Sequence, residues 1–244
     1  MKAIVAVWRA SIVEIVRSRL YLTIVAAGAL LVLSALAFSE LSVGETLRTL
    51  VDIGLAFISL IGLVIALVLS ITTVSREIET RSVIPLLSRN VERWQYLLGR
   101  YLGVCTAVVT VMTALSIVLA GIAFNYDGHV ARIIGAGVFG AFEACLVAAL
   151  AFSLAVRSSP VVSAMVATII IVVGRLDAAL QLLIDKGTFG ASTPLITVVH
   201  HVLPQLSRFD LTAWAFDDAA PVSMLLTSAA YGVVYTTALF LLAA

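Results

Sequence analysis

A single acidic residue, Glu143, lies in the middle of a long apolar stretch. If that stretch crosses a membrane, an ionised carboxylate there is costly, and such groups usually face protein or a water-filled cavity. Glu143 is therefore a possible pathway residue for a transported solute. Ala136, Gly140 and Ala144 are small enough to let another helix approach closely. Glu143 is thus equally compatible with a protonated packing residue that hydrogen-bonds to a neighbour, and both interpretations stay open.

A second group of polar side chains raises the question of a metal site. His200 and His201 are followed by Asp210, Asp217 and Asp218. Adjacent histidines point in different directions on a helix, and the HExxH spacing of metalloproteases is missing. Because a metal site needs several converging ligands, an exposed interfacial surface is the favoured interpretation. We predict no metal site and no catalytic residue.

The sequence also contains no motif for nucleotide binding or for redox chemistry. The phosphate-binding pattern GxxxxGK[ST] does not occur, so the chain has no such loop to hold ATP phosphates. Cys105 and Cys145, the only two cysteines, lie in apolar runs without a CxxC spacing, which predicts buried thiols. A net charge of +1 gives no support for nucleic-acid binding. We predict that the chain itself binds no cofactor.

The most informative segment, residues 76–94, alternates positive and negative charges around an apolar patch. The patch consists of Val83, Ile84, Leu86 and Leu87. Such a loop, joined to a helix on each side, can present a short amphipathic element to a soluble partner and transmit its motion. A solvated loop with interfacial leucines explains the pattern equally well.

These residues must be positioned by membrane helices. Of the 244 residues, 62% are hydrophobic and only 12% are charged, whereas soluble domains carry about 25% charged residues. A spanning helix needs roughly 20 apolar residues. We therefore predict an all-α, polytopic membrane protein that forms one domain. Its six predicted spans are approximately residues 20–38, 51–73, 101–124, 133–156, 161–174 and 222–244.

Three segments outside the spans complete the predicted organisation. Residues 1–19 repeat apolar side chains at helical spacing between charges, which is typical of a helix in the membrane interface. Residues 76–94 form a cytoplasmic loop. Prolines and charges interrupt residues 175–221 too often for a span, so we expect an irregular outer segment with short helices, one of them near residues 195–206.

The distribution of basic residues predicts the orientation. In the six-span topology, ten of the 15 Lys and Arg residues lie on the same side of the membrane as the N-terminus. By the positive-inside rule, both termini lie in the cytoplasm and the protein belongs to the inner (plasma) membrane. The five basic residues expected on the outer side are Arg48, Arg132, Arg175, Lys186 and Arg208.

Residues 76–103 resemble the coupling loop of type-2 ABC transporter permeases. The likeness lies in an acidic pair, Thr80, a Leu-Leu-Ser triplet ending at Ser88, Arg93, and the ending Tyr-Leu-Leu-Gly-Arg-Tyr-Leu-Gly. The order of interfacial helix, spans and outer segment is also similar over the whole chain. The chain differs at Arg81 and Asn90, where the family often has Gly and Pro.

This resemblance implies a mode of action. The loop would dock in a cleft of a separate ABC ATPase subunit, through Glu77, Glu79, Arg81, Val83, Leu86, Leu87 and Ser88. A second permease subunit, expected to be a copy of this chain, would complete the substrate path. Two ATPase subunits would bind ATP and Mg²⁺ and drive export.

Two other classes of function remain as alternatives. An ion-gradient-driven secondary transporter or channel would use Glu143 as a proton-responsive group, although no inverted repeat or pair of broken helices is evident. A membrane-embedded enzyme would use the histidines and aspartates of the outer segment, but their spacing matches no catalytic motif.

Overall fold

The computed structural model describes residues 2–40, 46–80, 93–126, 128–176, 206–209 and 222–243. Every regular element within these ranges is helical, which confirms the predicted all-α class for the described residues. One turn of 3₁₀ helix covers Leu206–Phe209. The α-helices are α1 (Lys2–Arg17), α2 (Arg19–Glu40), α3 (Thr46–Thr80), α4 (Arg93–Phe124), α5 (Val130–Ala155), α6 (Pro160–Arg175) and α7 (Val222–Ala243).

Four helices, α2 to α5, are long and apolar enough to cross a membrane. The chain is therefore a multi-pass membrane protein. The helix α6 is apolar but has 16 residues, fewer than the roughly 20 that a perpendicular span requires. The helix α7 has 22 residues and occupies the sixth predicted span. The count of six spans stays a prediction.

The helices α3 and α4 are longer than the predicted spans. They contain 35 and 32 residues, so they are about 52 and 48 Å long, against about 30 Å of hydrocarbon. Residues 76–80 and 93–94 of the predicted loop are therefore helical. No glycine or proline interrupts α3 after Gly62, so its backbone hydrogen bonds continue past the apolar run.

The helix α5 is central and packs against α3, α4, α6 and α7. Its buried face is built from small residues, among them Ala141, Ala144 and Ala148. Small side chains let helix backbones approach each other closely. At Gly137 the approach is so close that an added methyl group would overlap Ser116 of α4. These residues set the helix spacing around the middle of the bundle.

The helix α1 packs across the first half of α4. Gly99 and Gly103, four residues apart on α4, face it, and a methyl group added at Gly103 would lie 2.5 Å from the Cβ of Ser11. Ser11 is fully buried. Arg100 Nη1 donates a hydrogen bond to Glu14 Oε2 at 2.5 Å. This contact fixes α1 to the part of α4 next to the predicted coupling loop, while its location in the membrane interface stays a prediction.

A larger side chain at Gly103 should break this contact. We expect Gly103→Leu to lower the free energy of unfolding by about 1–3 kcal/mol, the usual cost of overfilling a packed site. Gly121→Leu is the matched control, because an added Cβ at Gly121, on the same helix, meets nothing within 4 Å. Thermal unfolding in detergent measures both variants. Equal melting temperatures would show that α1 is not packed on Gly103.

Candidate functional site

Glu143 lies halfway along α5, between Val130 and Ala155. At about 1.5 Å per residue, each end of the helix is about 18–20 Å away. Only 2% of Glu143 is exposed, so its carboxylate faces protein. The expectation that Glu143 faces the bundle interior agrees with the structure, and its role in a pathway stays a prediction.

Arg175, the last residue of α6, pairs with this carboxylate. Its Nε donates to Glu143 Oε1 at 2.9 Å and its Nη2 donates to Glu143 Oε2 at 3.0 Å. Parallel N–H bonds to both carboxylate oxygens are the strongest geometry for such a pair. The orientation count assigned Arg175 to the outer surface, whereas in the structure its guanidinium reaches the carboxylate in the middle of α5.

Ser59 of α3 is the third member of this cluster. Its hydroxyl donates to Glu143 Oε2 at 3.4 Å and accepts a hydrogen bond from Arg175 Nη2. A buried ion pair is tolerable only when further hydrogen bonds satisfy its remaining polar atoms. The cluster links α3, α5 and α6 halfway through the bundle, and it fits an ionised pair better than the protonated packing residue left open by the sequence.

The cluster borders a cavity of about 90 Å³. The volume is enough for a few water molecules, and the Glu143 and Arg175 side chains supply polar partners for them. Met112 of α4 and the glycines Gly137 and Gly140 form part of its wall. Because α5 carries no side chain at Gly140, the space beside the carboxylate stays open.

Phe209 closes one side of the same cavity. It belongs to the 3₁₀ turn, is 1% exposed, and its ring centroid lies 5.8 Å from that of Phe139 on α5. Part of the predicted outer segment therefore enters the bundle core. Non-helical backbone at membrane depth is tolerated where protein buries it, and the burial of Leu206 beside Phe209 meets that condition.

Sequence reasoning singled out Glu143 and missed Arg175, Ser59 and Phe209. For Arg175 a signal existed: α5 and α6 are joined by a tight turn, with Glu143 and Arg175 at similar distances from it along the two helices. Antiparallel neighbours bring such residues to the same level. Neither a serine in an apolar helix nor a phenylalanine in a polar segment carries a comparable signal.

The other predicted site residues are only partly described. Glu77 and Glu79 lie in the last turns of α3. Arg81, Val83, Leu86, Leu87 and Ser88 lie outside the described residues, as do Asn90, both adjacent histidines and the three aspartates of the suggested metal group. Within the part of the chain that the structure describes, His, Cys, Asp and Glu form no cluster of three or more that could hold a metal ion.

No known family model matches the chain, and no curated protein matches it either. The geometry of the helices and of the buried cluster therefore carries the functional argument.

Proposed function

We propose that this chain is the membrane-spanning permease subunit of an ATP-driven ABC transporter, an exporter whose ATPase is a separate subunit. One observation carries the proposal. The two helices that flank residues 81–92, α3 and α4, run without a break from that segment to the cavity beside Glu143, where they contribute Ser59 and Met112.

Unbroken helices transmit displacement along their length. Ser59 lies about 32 Å from Thr80 along α3, and Met112 lies about 29 Å from Arg93 along α4, at 1.5 Å per residue. A partner that pushes the 81–92 segment would therefore move both cavity walls together. ATP-driven closure of an ATPase dimer supplies such a push, and the resemblance of residues 76–103 to ABC permeases favours this partner.

The remaining parts of the proposal follow from the same resemblance. A second copy of the chain completes the substrate path, and Mg²⁺ and ATP bind to the ATPase subunits. The chain lies in the inner membrane with both termini in the cytoplasm. Glu143 lines the path, and the Glu143–Arg175 pair is the contact that loop motion would strain.

A secondary transporter or channel is the second candidate, since Glu143 lies beside a cavity large enough for water. The two candidates require different energy sources. In inverted membrane vesicles, an ATP-driven exporter keeps working when ionophores collapse the ion gradients, whereas a gradient-driven transporter stops.

Purification of the tagged chain from its native membrane tests the leading proposal directly. We expect a second chain with a GxxxxGK[ST] motif to co-purify in equal amount, with Mg²⁺-dependent ATP hydrolysis. A chain that purifies alone from gently solubilised membranes, without ATPase activity, would argue against it. This test can be done without knowing the transported substrate.

The proposed orientation makes a separate prediction. In a background without Cys105 and Cys145, Ser82→Cys should react with an impermeant thiol reagent only after the cytoplasmic face is opened. Ser192→Cys, in the predicted outer segment, should react in intact cells. Labelling of the Ser192→Cys variant from the cytoplasmic side alone would overturn the six-span topology.

A further inference from the structure

A groove of about 700 Å³ opens where α1 joins α2, and it is independent of the Glu143 cavity. Arg17, Arg19 and Arg76 line it and are all exposed. Glu14 is the one acidic residue in the described lining, and its carboxylate already accepts a hydrogen bond from Arg100 at 2.5 Å. Its described lining therefore carries three arginines against one glutamate.

These arginines lie at the level where lipid phosphates are expected. The apolar stretch of α2 starts directly after Arg19, and the membrane-spanning part of α3 ends at Arg76. Ser18 separates α1 from α2 and caps the start of α2, because its hydroxyl accepts the backbone N–H of Tyr21 at 3.2 Å. The groove thus forms at the boundary between hydrocarbon and headgroups.

The groove also has an apolar side. Ile15, Leu69 and Ile71 contribute buried side chains to its lining. Leu20, which also lines the groove at the start of α2, is 57% exposed. A free inorganic anion would use the arginines alone, whereas an amphiphile would cover both parts.

We propose that this groove binds an anionic phospholipid, with the phosphate on Arg17 and Arg19 and an acyl chain along α2. Arginine suits this role because its guanidinium donates parallel hydrogen bonds to phosphate oxygens. Basic pockets between membrane helices are a recurring way to hold acidic headgroups.

The test uses the purified full-length chain in a neutral detergent, titrated with phosphatidylglycerol, phosphatidylcholine or inorganic phosphate. Thermal unfolding and native mass spectrometry report binding. Phosphatidylglycerol should raise the melting temperature and remain bound in the gas phase. The double variant Arg17→Gln/Arg19→Gln should weaken the affinity for phosphatidylglycerol about thirtyfold, given the usual contribution of each basic residue near an anionic lipid.

The matched control is Arg9→Gln/Arg157→Gln, which removes two exposed arginines that do not line the groove. It should change the affinity for phosphatidylglycerol by less than about threefold. An equal loss in the control would show unspecific attraction and overturn the site. Equal stabilisation by phosphatidylcholine, or by inorganic phosphate at the same concentration, would overturn an acidic lipid as the occupant.

A charge-preserving variant keeps the test decisive if the glutamine variant does not fold. Arg17→Lys/Arg19→Lys retains both charges but cannot form the parallel hydrogen bonds of arginine. We expect a several-fold weaker affinity with the preference for phosphatidylglycerol over phosphatidylcholine retained. Loss of that preference, or an unchanged affinity, would contradict recognition of a phosphate by these arginines.

Discussion

Replacing Arg175 by methionine is expected to destabilise the protein by about 3 kcal/mol, the lower end of the cost of breaking a buried ion pair. The reason is that Glu143, whose side chain is 3% exposed, loses its cation. The lower end applies because the Arg175 side chain is itself 38% exposed. For a chain of this size the melting temperature should fall by about 6–12 °C.

Three further variants separate the ion pair from general damage to α6. Val172→Met, at an exposed position one turn earlier, should leave the melting temperature nearly unchanged. Glu143→Gln should destabilise the protein less than Arg175→Met, because the glutamine amide oxygen can still accept a hydrogen bond from the guanidinium. The double variant Glu143→Gln/Arg175→Met should be more stable than the sum of the two losses predicts. Additive losses would show that the two side chains do not stabilise each other.

The same variants test the proposed pathway. Glu143→Gln should assemble normally but change the transport rate, since the cavity loses its negative charge while the shape of the side chain is kept. Unchanged transport in a stable Glu143→Gln protein would leave the pair with a purely structural role.

The second large effect is expected in the coupling segment. Leu86→Asp should abolish ATP hydrolysis coupled to transport and weaken association with the ATPase at least tenfold. If Leu86 lies in the apolar part of the contact, the variant buries an unpaired charge there. Reversing the charges of Glu79 and Arg81 should do less harm, because polar contacts at an interface mainly set complementarity and orientation.

Val43→Asp serves as the control for Leu86→Asp. It also places an aspartate at an apolar position, but in the connection between α2 and α3. This connection precedes α3, whereas the coupling segment follows α3. It should leave ATPase association intact. Association and transport-linked hydrolysis must be measured separately, and wild-type values of both in Leu86→Asp would remove the segment as the transmission element.

Hydrophobicity predicted the helical class and the positions of the four long apolar helices α2 to α5, because the bilayer requires long apolar runs. It did not predict the ends of α3 and α4, since hydropathy marks where hydrocarbon ends and not where backbone hydrogen bonding ends. Glu143 was recognisable because a charge within an apolar run is costly. Its partners were not, because Ser59 and Arg175 meet it only through the packing of α3 and α6 on α5.

The burial of Phe209 in the core could not be predicted from the sequence, for a different reason. Its neighbours in sequence include charged and polar residues, so local composition favours a surface position. Only its contact with Phe139 and with the cavity shows that this turn is buried in the core.

The packing of α1 on α4 also has a consequence for biosynthesis. Ser11 leaves the ribosome well before Gly103, and at usual elongation rates of 5–20 residues per second the delay is about 5–18 s. During this interval the face of α1 with Ile4, Trp8 and Ile15 has no α4 to cover it. The bilayer surface is the apolar medium within reach of an amphipathic helix. We therefore expect α1 to rest on lipid first and to move onto Gly99 and Gly103 only after α4 has inserted.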